Sequence, residues 1–162
     1  MSVRAIVATI GVVLVTAYAA LMAVDALVLY PLAAVPGHSL SQIYDGLARA
    51  DMNVALDITA DLVMAGIGVV LAILAITIGL RGGITAPALA STLLGILAAG
   101  AIPAWYSGVF LGMDIADTFA PGDDAQTVWP HVLFVTSLAA LVAVPVIAII
   151  TARRRRVRAV AA

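Results

Sequence analysis

Four long apolar runs dominate the chain, separated by short polar or charged stretches. They cover about residues 3–30, 54–80, 86–111 and 130–151. A helix needs roughly 20 mostly apolar residues to cross a hydrocarbon core of about 30 Å, and each run is long enough. The first stops at Pro31 and the second at Arg81-Gly82-Gly83. The third opens on Thr85-Ala86-Pro87, an N-cap followed by a first-turn proline. The fourth opens on Trp129-Pro130-His131 and ends at Thr151, just before a run of arginines. The pattern predicts an all-α polytopic membrane protein, a four-transmembrane-helix bundle forming one domain over residues 1–158. Residues 159–162 read as a frayed tail. No strand alternation, solenoid repeat or glycine-rich phosphate loop interrupts it.

The connections carry their own signals. Ser39-Leu40-Ser41-Gln42 is a capping box that starts a short amphipathic helix. Ile43, Tyr44, Leu47 and Ala48 share one side of it, and Asp45, Arg49 and Asp51 lie elsewhere. Such a helix is expected to lie on the outer surface or across the mouth of the bundle. The connection 112–128 is acidic, reads as a loop, and contains the turn sequence Ala120-Pro121-Gly122-Asp123-Asp124.

Composition sharpens this picture. Of 162 residues, 64% are hydrophobic and 10% charged, against about 25% charged in soluble domains. A disordered chain, a coiled coil and an ordinary soluble domain are excluded. There is no cysteine, so disulfides, thiolate metal sites and cysteine nucleophiles are excluded too. There is also no lysine and no glutamate. With so much Ala, Val and Gly, the codon bias of a GC-rich genome accounts for that choice.

The net charge of −1 hides a segregation. All nine Asp lie between Asp25 and Asp124, whereas seven of the eight Arg lie at span ends: Arg4, Arg81, Arg153, Arg154, Arg155, Arg156 and Arg158. Four spans put both termini on one side, and arginines near span ends mark the cytoplasmic side. The expected topology is therefore a multi-pass protein of the bacterial inner (plasma) membrane with cytoplasmic termini and an acidic extracytoplasmic face. Arg4, Arg81, Arg153–Arg156, Trp105 and Trp129 would anchor it at the two interfaces. The start of the chain resembles a signal peptide, with Ala17-Tyr18-Ala19 at a cleavage-like position. The apolar run continues to Leu29, which favours an uncleaved first span. The arginine tail reads as a stop-transfer anchor at the lipid surface rather than a nucleic-acid patch.

Small residues mark packing faces. Gly68, Ala72, Ala75 and Gly79 form a stripe on the second span, and Ser91, Gly95 and Ala99 one on the third. Both match the small-xxx-small pattern and predict that these two spans pack closely. Pro103 should bend the third helix and Pro145 the fourth.

The candidate chemistry is a polar layer. Counted from the arginines at 1.5 Å per residue, Asp25 lies 21 residues (about 31 Å) from Arg4. Asp61 lies 20 residues (about 30 Å) from Arg81, and His131 lies 22 residues (about 33 Å) from Arg153. Asp57 shares a helix face with Asp61, and Tyr106 approaches the same height. The expectation is a site built from Asp25, Asp57, Asp61, Tyr106 and His131 near the outer rim. Such a layer offers ligands for a divalent cation or a proton relay; no other cofactor is indicated. Ser107 and Ser137 lack a paired His and Asp, so no catalytic motif is present.

Two functions follow. The first is an accessory or assembly subunit, or homo-oligomeric component, acting through helix packing with lipid, a membrane-protein partner or its own copies, and not with nucleic acid. The alternative is a small proton- or cation-binding transport or sensing protein using Asp25, Asp61 and His131.

Overall fold

The computed structural model describes residues 2–121 and 127–160. The described residues are mostly helical, and four stretches are long and apolar enough to cross a membrane: Val3–Ala34, Val54–Arg81, Ala86–Phe119 and Trp129–Arg154. Val3, Thr85 and Arg154 line one common cleft, so the chain start, the 2–3 turn and the end of span four share one end of the bundle. This is the arginine end; the opposite one is the acidic end.

The first span is α1 (Val3–Val24), a single wide π-helical turn over Asp25–Leu29, and α2 (Tyr30–Ala34). The helix was expected to stop at Pro31, but it runs on through it. Pro31 has no N–H to give the carbonyl of Leu27, four residues back. That carbonyl instead accepts the Tyr44 hydroxyl at 2.7 Å. In the wide turn, Tyr30 N–H reaches the Asp25 carbonyl. One extra residue per turn and one borrowed hydroxyl let the helix pass the proline.

Tyr44 belongs to α3 (Leu40–Arg49), which begins with a reciprocal capping box between Ser39 and Gln42. Its Ile43 and Leu47 are completely buried. The second span, α4 (Val54–Arg81), is one uninterrupted helix of 28 residues. The third is broken into α5 (Ala86–Ala99), α6 (Ala101–Tyr106) and α7 (Val109–Phe119). Its expected end near Leu111 is corrected to Phe119. Leu111 and Ile115 are one turn apart and fully buried, and they form a small core with Ala34, Val35, Ile43 and Leu47. Tertiary burial turns an acidic stretch into a helix, overriding the loop-like composition. Asp123 and Asp124 of the expected turn lie outside the described residues. The fourth span, α8 (Trp129–Val160), passes through Pro145 and continues as helix through the arginines. It therefore overruns the boundary expected at 151 and enters the tail read as frayed; arginine is a good helix former.

The main core joins Ala8, Val15, Tyr18 and Met22 of α1 with Ala65 and Ala72 of α4, Leu89, Leu93 and Leu97 of α5, and Leu133 and Ala140 of α8. Lipid gives no hydrophobic drive for association, so close van der Waals fit has to hold these helices. The outward faces carry large apolar residues such as Leu62, Ile67, Leu74 and Ile78. The most extensive pairings are α5 with α8 and α1 with α4, with α4–α5 less extensive. Spans two and three do pack against each other, though less extensively than those pairs. The stripe on α4 is shared: a side chain at Gly68 would point toward Val15 of α1, and one at Gly79 toward Leu89 of α5. Ala72 is fully buried and Ala75 half-buried. On α5 the buried face is Leu89, Leu93 and Leu97, while Gly95 and Ala99 face outward and Ser91 is half-buried.

Midway along the bundle, the break between α5 and α6 falls at Gly100, one turn before Pro103. Ser137 of α8 donates its hydroxyl to the Leu97 carbonyl at 3.0 Å. Ser137 has only that hydrogen to give, so Tyr18 of α1 is the donor in their 2.9 Å contact. Three spans are thereby stitched together at the proline-weakened point.

Candidate functional site

The acidic end is assembled around two helix interruptions. One is the wide turn beginning at Asp25; the other is Ser107-Gly108 between α6 and α7. Gly108 adopts φ +75°, which favours glycine. A side chain there would also come within 3.4 Å of Ala26, just after Asp25. Each interruption faces a buried carboxyl.

Asp25 is 7% exposed. Its Oδ1 accepts the hydroxyl of Thr127, just before α8, at 2.6 Å. It also lies on the wall of an open cleft of about 560 Å³ that includes Tyr30, Trp105, Gly108, Met113 and Phe134. Asp61 is 4% exposed, and its Oδ1 accepts the Gly108 N–H at 3.0 Å. Gly108 immediately precedes α7, so this carboxyl sits at the positive end of that helix and acts as its N-cap from another span. Asp61 is not part of the cleft wall.

Asp57, one turn before Asp61, neighbours Asp61 and Asp114 of α7. Its Oδ2 is buried without a hydrogen-bond partner among the described residues, as is the Ser107 hydroxyl. Arg49 donates its Nε to the Asp45 carbonyl within α3. Outside the spans, burial and the nearby Asp61 carboxyl push the Tyr44 hydroxyl above the usual tyrosine value.

The expected polar layer is only partly assembled. Asp25 and Asp61 are buried and Asp57 is half-buried. His131 is exposed, and the group that meets Asp25 is Thr127, four residues earlier. Tyr106 is 55% exposed. Both residues lie at the right height but on the outer side of their helices, because height along a helix does not fix its rotation. Trp105 and Trp129 are exposed, and Trp105 meets Phe134 edge-on with ring centroids 5.8 Å apart. His38, in the turn before α3, stacks edge-on with Phe119 instead of entering the layer. Arg4, Arg81, Arg153, Arg154 and Arg156 are exposed at the other end.

Among the described residues no three His or Asp side chains are grouped to hold a metal ion. The ligand set expected for a divalent cation is therefore not brought together. The Ser137 hydroxyl is engaged by Tyr18 and the Leu97 carbonyl, not by a base. The arrangement can cap helices, and at Asp25 it can exchange a proton with an open cleft.

Gly108, Thr127 and Tyr44 carry much of this geometry and were not singled out from sequence as site residues. A Ser-Gly pair inside an apolar run signals a helix break, and a proline within a span signals a carbonyl in need of a donor. Thr127 gave no such signal. No known protein family matches the chain, and no curated protein or solved structure matches it.

Proposed function

We propose that this chain is a small non-enzymatic membrane protein that binds a proton at the outer rim through Asp25 and responds to the pH on that side. It sits in the plasma membrane with both termini in the cytoplasm. The supporting feature for that orientation is the placement of seven arginines at one end, next to the span ends.

One observation carries the reading. Asp25 is a buried carboxyl of a membrane helix, bordering an open cleft, with a neutral hydroxyl as its hydrogen-bond partner. An intramembrane carboxylate is costly unless paired or hydrated, and a proton relieves that cost directly. Its position in a π-helical turn agrees, since such turns recur at functional sites. The neighbouring Asp61 serves to hold the Gly108 break in place.

The test is proton binding by the full chain in liposomes after an external acid step, read with a pH-indicator dye. Wild type takes up one more proton per chain than Asp25→Asn. That substitution keeps an oxygen to accept from Thr127, so the fold persists. Equal uptake by both would overturn the reading.

A second reading, assembly through helix packing, is favoured by the outward-facing Gly95 and Ala99 on α5. A side chain at Gly95 would meet open space. Gly95→Leu would then disrupt a homo-oligomer or partner complex seen by crosslinking in native membranes. An unchanged crosslinking pattern would remove this second reading.

A further inference from the structure

At the arginine end, α1, α5 and α8 enclose a cleft of about 530 Å³, within the usual range for small-molecule sites. Its walls include Val7, Ala90 and Ile147, and its rim Thr85, Thr151 and Arg154. Every residue that α8 contributes lies beyond Pro145, where the helix lacks one backbone hydrogen bond. Along α8 the lining runs from Ile147 and Ile150 to the Thr151 hydroxyl and then to the Arg154 guanidinium. Arg153 and Arg156 add positive charge at the same end, and no Asp lines the cleft.

We propose that this cleft binds one anionic phospholipid. An acyl chain lies along Val7, Ala90 and Ile147, the glycerol ester oxygens meet Thr85 and Thr151, and the phosphate meets Arg154. A guanidinium suits phosphate because its planar donors match two oxygens at once. A zwitterionic lipid fits the same walls, but its own ammonium meets the positive rim. The site is independent of Asp25, which lies at the opposite end.

The test is lipid retention by the delipidated full chain in detergent, read by native mass spectrometry. The probes are phosphatidylglycerol, phosphatidylcholine of the same acyl composition, and inorganic phosphate. The expected result is one phosphatidylglycerol per chain held in preference to phosphatidylcholine. Arg154→Gln should weaken retention about fivefold, the usual worth of one basic residue at an anionic lipid surface. Arg156→Gln, outside the cleft lining, should weaken it by clearly less. Ala90→Phe, which fills the apolar wall, should remove the one-to-one complex. Arg154 is exposed, so its substitution does not threaten folding. Equal retention of the two lipids, equal losses in the two arginine variants, or displacement of the lipid by inorganic phosphate would overturn the proposal.

Discussion

At the arginine end α4 and α8 run unbroken, and the core between them and their neighbours is Ala, Val and Leu. At the acidic end the first and third spans are interrupted, and each interruption is held by a side chain from a distant part of the chain. In the first region, apart from the one bond missing at Pro145, backbone groups satisfy one another within each helix, and side chains only have to fit. In the second the backbone cannot close its own ladder, and Tyr44 and Asp61 supply what is missing. A helix that satisfies itself tolerates substitution along its surface. A helix completed by another element depends on single contacts, and that dependence lets a polar group be kept inside.

The contrast is broken most severely at Gly108. Gly108→Val forces a branched side chain into φ +75° and against Ala26, and should cost about 3 kcal/mol. Thermal unfolding in detergent should report it, with hydrogen exchange rising in α3 and α7 well before α4. Next is Asp61→Ala, which leaves the Gly108 N–H without its acceptor and should cost about 2 kcal/mol. Asp61→Asn keeps an acceptor oxygen and should recover most of the loss in the same assay. Recovery failing would mean that charge, not hydrogen bonding, holds the break.

Tyr44→Phe uncovers the Leu27 carbonyl and should cost about 1.5 kcal/mol. The contact also carries a pH signature. Because the folded protein holds the Tyr44 proton more tightly than the unfolded chain, this contribution is complete below the ordinary tyrosine value of 10.0. It is lost as pH rises through the folded value. Unfolding of wild type should therefore ease in alkali relative to Tyr44→Phe. Smallest is Tyr18→Phe, which removes one link of the Tyr18–Ser137–Leu97 chain. It should cost about 1 kcal/mol with exchange spread evenly over the spans. A loss confined to the acidic end would contradict the division drawn between the two regions.

The spans were legible because apolar length is a property of each segment alone. The capping box at Ser39 and the shared face of Asp57 and Asp61 were legible for the same reason: both follow from spacing within one helix. The helicity of α7 was not, since it depends on Leu111 and Ile115 meeting Ile43 and Leu47 from another connection. Rotation of a span about its own axis was also hidden. Arithmetic on helical rise put His131 and Tyr106 at the height of Asp25 but could not say which way they point. Thr127 reached Asp25 from a stretch that sequence reads only as a polar loop.

The most direct test of the account is the infrared C=O stretch of a protonated carboxyl, taken as the difference between wild type and Asp25→Asn while the pH is lowered. The account predicts a band that grows in wild type and is missing from Asp25→Asn, with Asp61→Asn retaining it. A spectrum in which no pH-dependent band depends on Asp25 would contradict it.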